Sequence, residues 1–171
     1  KDCITLAEKN IGWNTILMMP LTHKYKPKNT KDVQGQDLQI EKLKDFIITH
    51  SRQKKKAALI YGPSGVGKTS TAYAIANDLN YEVCETNASE FRNSEQISLK
   101  VGNAIKQRSL FASGKIILVD EIDGLSGHQD RGGIQAITKL IQDSTFPIIM
   151  TATNPFDNKF SSLRGKSNML E

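Results

Sequence analysis

The segment Gly62-Pro63-Ser64-Gly65-Val66-Gly67-Lys68-Thr69 combines the residue types that bind phosphate groups. It follows the pattern G-x-x-x-x-G-K-[ST], in which glycines let backbone N–H groups turn inward onto phosphate oxygens. A helix that begins directly after the loop adds its dipole and its unpaired donors. Lys68 supplies a positive charge for the outer phosphates, and the Thr69 hydroxyl is a ligand for Mg²⁺. The segment, with Ser70 after it, predicts a phosphate-binding loop.

Two acids, Asp120 and Glu121, directly follow the apolar run Ile116–Val119. In a parallel sheet, ligands bind at the carboxyl ends of the strands, so both acids are expected to point toward the phosphate loop. We expect Asp120 to hold Mg²⁺, mostly through water. Glu121 is expected to polarise the attacking water, which a small-molecule kinase does not need because its acceptor supplies the nucleophile. Asp123 is assigned a structural or indirect role.

Asn154 follows the next apolar run along the chain. Its amide could reach the γ-phosphate side of a bound nucleotide and position the attacking water. The alternative is an asparagine that forms a turn or caps a helix. The sequence leaves both interpretations open.

Short apolar runs alternate with longer helical segments along the chain. Strands are predicted at 57–61, 81–86, 116–120 and 146–152, and a fifth opens at Met169-Leu170. Helices are predicted at 36–51, 67–79, 93–108 and 133–142. Because the strands are apolar on both faces, they indicate an α/β fold with a parallel sheet covered by helices on both sides.

The helices are assigned a buried face from their apolar spacing. These residues are Leu38, Ile40, Leu43, Phe46 and Ile47 in the first helix, Ala72, Ile75, Ala76 and Leu79 in the second, and Ile134, Ile137, Leu140 and Ile141 in the last.

Composition places further bounds on the function. The 171 residues carry a net charge of +5 and are 38% hydrophobic, which is typical of one globular domain. No apolar run approaches the ~20 residues of a membrane helix, so we expect a soluble, cytoplasmic protein. Residues 20–56 hold ten Lys and Arg against four Asp and Glu. That segment could meet a polyanion, and a solvated basic face is an equal alternative.

Three further segments resemble one family. Residues 21–28 with 33–36 are similar to the "EKYRPK…VGQ" opening of AAA+ clamp loaders, 87–93 to their "NASDxRN" segment, and 120–123 to their DExD box. The resemblance covers about residues 20–171. It departs mildly from the family pattern at Glu90, where the "NASDxRN" segment has an aspartate. Small subunits of the family carry a Ser-Arg-Cys trio, whereas Gly165-Lys166-Ser167 lacks its arginine. The combination is therefore most similar to the large subunit of archaeal clamp loaders.

The resemblance implies a P-loop ATPase that opens a ring-shaped sliding clamp and places it on primer–template DNA, with small subunits as partners. It implies that ATP and Mg²⁺ bind at the loop, that Lys68 and Glu121 serve hydrolysis, and that Asn154 matches sensor 1. Near adenine it places Tyr25, Lys26, Pro27, Val33 and Gln34. Candidate contacts to DNA phosphates, independent of base sequence, are Arg92, Lys100, Lys106 and Arg131, and solvated surface charge is their alternative.

The family pattern also predicts the domain organisation. Residues 1–19 are interpreted as an extension or an upstream translated segment, and 20–171 as the ATPase core, truncated before a helical lid with a sensor-2 arginine and a collar. Arg164 and Lys166 are expected to face a neighbouring subunit. We expect a cytoplasmic protein, associated with the nucleoid if the source is archaeal.

Other functions remain as alternatives. One is a different DNA-associated AAA+ ATPase, such as a helicase loader or a branch-migration motor. Another is a P-loop kinase of small molecules, which would need an acceptor pocket and an arginine-rich lid. A third is a scaffold that binds ATP and scarcely hydrolyses it, which the presence of Lys68, Asp120 and Glu121 disfavours.

Overall fold

Five short strands form a parallel sheet in the computed structural model, which describes residues 27–88, 112–125 and 131–171. They are β1 (Ala57–Tyr61), β2 (Tyr81–Asn87), β3 (Gly114–Asp120), β4 (Ile148–Ala152) and β5 (Ser167–Leu170). Their order across the sheet is β2-β3-β4-β1-β5, and every pairing is parallel. The predicted α/β fold with a parallel sheet is confirmed.

The helices of the described ranges are α1 (Asp37–Thr49), α2 (Lys68–Asp78), α3 (Arg131–Asp143) and α4 (Ser161–Lys166). Short 3₁₀ turns lie at Thr30–Asp32, His50–Arg52, Ile122–Gly124 and Asn158–Phe160. The predicted helix 93–108 lies outside the described residues. No helix in the described part of the chain is both long and apolar enough to cross a membrane.

Successive residues of each strand point to opposite faces of the sheet, which divides the core in two. Ala58 and Ile60 of β1 belong to the cluster that contains the buried residues of α1 and α2. Ala57 and Leu59 belong to the other cluster, with Ile137 of α3. Because both faces of the sheet are covered, β1 and the run Ile116–Val119 of β3 are continuously apolar rather than alternating, whereas the edge strand β2 contains Glu82 and Glu85.

Several details differ from the sequence-based prediction, among them the starts of β3 at Gly114 rather than 116 and of β5 at Ser167 rather than 169. The apolar spacing places Leu38 on the buried face of the first helix, yet it is 60% exposed. It precedes Ile40 by two positions, about 200° around a helix, so the two side chains leave opposite faces. The fourth strand begins at Ile148 rather than 146, because the Ser144 hydroxyl bonds both the N–H and the C=O of Phe146 and turns the chain there.

Hydrogen bonds connect α2 to residues 28–32, which precede α1. Asp78 accepts hydrogen bonds from Lys44 Nζ at 2.7 Å and from Thr30 Oγ1 at 2.5 Å. Asn77 Nδ2 donates to the carbonyl oxygen of Lys28 at 3.1 Å. These contacts hold residues 28–32 beside the helix that follows the phosphate loop.

His50, directly after α1, is a buried histidine whose ring packs edge-on against Phe46 at 6.0 Å. Its Nε2 is buried without a hydrogen-bond partner among the described residues. Burial, and then the nearby charge of Lys56, lowers the pKa of His50 below its ordinary 6.5. Folding therefore favours the neutral imidazole.

This burial predicts a pH dependence of stability. Below pH 6.5 the unfolded chain binds a proton at His50 before the folded chain does, so the free energy of unfolding should fall with falling pH. Urea unfolding of the wild type and His50→Gln at about pH 8 and about pH 5.5 tests this, since the variant removes only the titrating group. We expect the wild type to lose more stability across that interval. Equal losses in both proteins would contradict the prediction.

Candidate functional site

The predicted phosphate loop connects the end of β1 to the first residue of α2. Gly65 and Gly67 have φ angles of 84° and 93°. A residue with a side chain adopts such positive φ angles only with strain, whereas glycine adopts them freely. These conformations turn the chain so that α2 begins directly at Lys68. The glycines of the motif are therefore required by the path of the backbone.

The side chain of Lys68 folds back onto the phosphate loop. Its Nζ donates hydrogen bonds to the carbonyl oxygens of Gly62 and Pro63, each at 2.8 Å. The ammonium group is thus held at the loop, where it can attract the phosphates of a nucleotide.

Asp120 connects three elements at the end of β3. Its Oδ1 accepts a hydrogen bond from Thr69 Oγ1 of α2 at 2.8 Å and another from Thr151 Oγ1 of β4 at 2.5 Å. The carboxylate that sequence assigns to Mg²⁺ therefore contacts the hydroxyl assigned to the same ion. Both are hard oxygen donors, which Mg²⁺ prefers, so this pair fits the ion.

Glu121 leaves the strand in a left-handed conformation, with φ 54° and ψ 57°. Its N–H donates to Thr151 Oγ1 at 2.9 Å, and its C=O accepts from Gly124 N–H at the same distance. A non-glycine residue rarely adopts this conformation, and such strain is concentrated at functional sites.

An open cleft of about 260 Å³ brings these elements together. It is lined by Ser64, Gly65, Gly67, Lys68, Thr69, Ser70, Glu121, Asp123, Thr151, Ala152 and Thr153. The phosphate loop and the acidic strand end, which lie more than fifty residues apart in the sequence, therefore share one site.

Asn154 is placed differently from the other predicted residues. It is exposed, it does not line this cleft, and its side-chain oxygen accepts the N–H of Phe156 at 3.1 Å. That oxygen serves a turn, the alternative that the sequence left open. The positioning of the attacking water by Asn154 stays a prediction. Because the side-chain oxygen is used in the turn, the amide nitrogen would have to make this contact.

Sequence reasoning missed Thr151 and Thr153 as residues of the cleft. Thr151 carried a usable signal, because it is polar within the otherwise apolar, fully buried strand β4. Thr153 carried none, since polar residues after a strand are common in turns.

Two charged side chains hold the loop after β4. Asp123 accepts the N–H of Thr153 at 2.5 Å and that of Asn154 at 3.3 Å, in agreement with an indirect role. Arg164 Nη1 donates to the carbonyl oxygens of Pro155 and Asp157, at 2.5 and 2.7 Å. Arg164 therefore contacts its own chain, and the expectation that it faces a neighbouring subunit stays a prediction.

The predicted adenine contacts remain predictions. Tyr25 and Lys26 lie outside the described residues. Pro27 is half-buried, Gln34 is exposed, and Val33 packs against the core cluster of α1 and α2. A second hollow borders the phosphate loop at Val66 and Lys68, and Gln36, Tyr61 and Leu170 are among its other lining residues.

The predicted DNA contacts also remain predictions. Arg92, Lys100 and Lys106 lie outside the described residues, as does the segment 89–93 that carried part of the family resemblance. Arg131 is the first residue of α3, and its side chain is not described.

Comparison with known proteins gives one family match. Residues 58–169 match the family described as "ATPase family associated with various cellular activities (AAA)". The match spans the phosphate loop, both acids and the first three residues of β5.

The chain is also similar to proteins named replication factor C large subunit. Identity is 49% with the protein of Nanoarchaeum equitans over 90% of this chain and 36% of that protein. It is 46% with that of Staphylothermus marinus, over 89% and 36%, and 42% with that of Thermofilum pendens, over 91% and 38%. The chain thus spans little more than a third of the length of these relatives.

The position of Lys68 predicts that its charge dominates nucleotide binding. We expect Lys68→Ala to weaken the affinity for a fluorescent ATP analogue by at least about a hundredfold, because the cleft loses the ammonium that meets the phosphates. Lys139→Ala, which removes an exposed lysine of α3, is the matched control and should bind normally. Equal affinity of the Lys68 variant and the wild type would refute the phosphate loop.

The left-handed backbone at Glu121 predicts a difference between two variants that both lack the carboxylate. Glycine adopts this conformation without strain and alanine does not, so Glu121→Gly should be more stable to urea than Glu121→Ala by about 1 kcal/mol. In an unstrained strand the order would be reversed, because glycine costs more conformational entropy. A more stable alanine variant would therefore show that the backbone is not strained here.

Proposed function

This chain belongs to the AAA family of ATPases, and we propose that it is the ATP-binding domain of a clamp-loader large subunit, which opens a sliding clamp and places it on primer–template DNA. One observation carries the ATPase part: the phosphate loop and Glu121 line one cleft, and Asp120 is bonded to the cleft residue Thr69. The similarity to replication factor C large subunits supports the clamp-loader part.

Binding of ATP would use the loop and the edge of β3. The N–H groups at the start of α2 and the Lys68 ammonium would meet the phosphate oxygens. The Thr69 hydroxyl and the Asp120 carboxylate would hold Mg²⁺, directly or through water. The bound ion would neutralise part of the negative charge on the phosphate oxygens.

Hydrolysis would use the second acid. Glu121 would accept a hydrogen bond from the attacking water and orient it toward the γ-phosphorus. The new P–O bond forms as the bond to the β–γ bridging oxygen breaks, which leaves ADP and phosphate. The Asn154 amide nitrogen is proposed to hold the same water.

Charge at the cleft supports the need for neighbouring subunits. Among the described residues, Lys68 is the basic side chain that lines the cleft. Arg164 is engaged by the carbonyl oxygens of its own loop. Where an arginine from a neighbouring subunit acts on a transferring phosphoryl group, it raises the rate of hydrolysis by a factor of about 10³–10⁵. We propose that this charge comes from small subunits and from a lid.

The remaining partners follow from the same proposal. A sliding clamp and primer–template DNA would bind the assembled complex in the cytoplasm. Contacts of Arg92, Lys100, Lys106 and Arg131 with DNA phosphates would make the affinity independent of base sequence and steeply dependent on salt.

A comparison of the isolated chain with the complete complex tests the proposal. The chain alone should bind Mg²⁺ and ATP and turn over very slowly, and a complex of the full-length subunit with its small subunits should be faster by about 10³ or more. Within the complex, Glu121→Gln should lower hydrolysis by at least about 10² and leave ATP binding intact. Clamp opening, read by the separation of two fluorophores across the clamp interface, is the functional readout.

Two results would contradict the proposal. Rapid hydrolysis by the monomeric chain would show that no charge from a neighbour is needed. A complex that hydrolyses ATP without responding to the clamp or to primed DNA would remove the clamp-loader assignment and leave the ATPase.

A further inference from the structure

Thr151 is the polar residue of β4, and it is only 1% exposed. Its neighbours along the strand are apolar and equally buried. A valine has nearly the same shape and a high preference for strands, so packing does not require a hydroxyl at this position. A buried hydroxyl is costly unless it is hydrogen-bonded, so the partners of Thr151 explain its presence.

The partners are the two acids at the end of β3. The Thr151 hydroxyl donates its hydrogen to Asp120 Oδ1 at 2.5 Å and accepts the N–H of Glu121 at 2.9 Å. One oxygen atom of β4 therefore contacts both residues at the end of β3.

The bond to Asp120 restricts the rotation of the carboxylate. Thr69 donates to the same oxygen, Oδ1, from α2. Two donors on different elements hold this oxygen, and neither bond uses Oδ2. A threonine oxygen can offer a lone pair to a metal ion while its hydrogen stays on a carboxylate. The arrangement thus leaves Asp120 Oδ2 and the Thr69 oxygen available as a pair.

The bond to Glu121 acts on the backbone. The left-handed conformation of Glu121 is unfavourable by itself and persists only where surrounding contacts determine it. Thr151 holds the N–H of this residue, and Gly124 holds its C=O at 2.9 Å. This conformation sets the direction in which the Glu121 side chain leaves the end of β3.

We propose that Thr151 is a positioning residue, whose hydroxyl holds Asp120 for Mg²⁺ and Glu121 for the attacking water. The inference rests on the proposed function. Thr151 acts through the two acids, and its effect should therefore appear in the metal-dependent part of nucleotide binding. A threonine that only satisfies its own burial would affect stability alone.

The test measures the binding of a fluorescent, slowly hydrolysed ATP analogue to the full chain, once in EDTA and once in Mg²⁺. The ratio of the two dissociation constants reports how strongly the ion supports binding. For Thr151→Val we expect this ratio to fall by about tenfold, as is typical when the partner of a metal ligand is lost. Affinity in EDTA should stay within about twofold, because the phosphate loop is intact.

Two variants control the measurement. Thr151→Ser keeps the hydroxyl and should restore the ratio to within about threefold of the wild type. Thr86→Val makes the same substitution at a buried threonine of β2, beside β3, and should leave the ratio unchanged. If Thr151→Val does not fold, Thr151→Cys replaces it, since a thiol is a much weaker donor than a hydroxyl.

The outcomes separate this inference from the proposed function. An unchanged ratio in Thr151→Val overturns the inference, and so does an equal loss in Thr151→Ser, because the hydroxyl would then not be the cause. A change in Thr86→Val of the same size would assign the effect to repacking and overturn it as well. Failure of the wild type to bind the analogue in either condition would instead refute the phosphate site itself.

Discussion

Parallel pairing of β1, β3 and β4 is the constraint on which the site depends. The central strand β4 pairs with β3 on one side and β1 on the other, with Val119 opposite Met150 and Ile60 opposite Thr151. The carboxyl ends of the three strands therefore lie at one edge of the sheet. An antiparallel β4 would carry Thr151 to the opposite edge, away from Asp120 and from the phosphate loop.

Several groups at the carboxyl edge of the sheet have conformations or surroundings that are unfavourable by themselves, and packing of the core holds them in place. It contains a buried hydroxyl, a strained Glu121 and glycines with positive φ. The strands behind it are buried against helices on both faces, so the strand ends cannot shift without opening two apolar clusters. Rigid strands thus fix the positions of residues that local preferences would not hold.

The loop after β4 shows how charged residues near a site can serve its geometry. Asp123 holds two backbone N–H groups at the beginning of this loop, and Arg164 holds two carbonyl oxygens further along. Asn154 closes a turn between them. Both charges are used within the chain, so the position of this loop is determined by the domain that carries it.

The sequence by itself determined the elements and the phosphate loop. Apolar runs specified strands 57–61 and 116–120 nearly to the residue, and the Gly-rich motif identified Lys68 and Thr69, because these features depend on local spacing and backbone freedom. Only the tertiary structure decided that Thr151 joins the two acids, that Asn154 closes a turn and that Arg164 contacts its own loop. The Thr151 contacts join residues 30 and 31 positions apart, so they depend on strand order and register, which no local pattern encodes. The contacts of Asn154 and Arg164 lie within one loop, whose path is fixed by the elements that it connects.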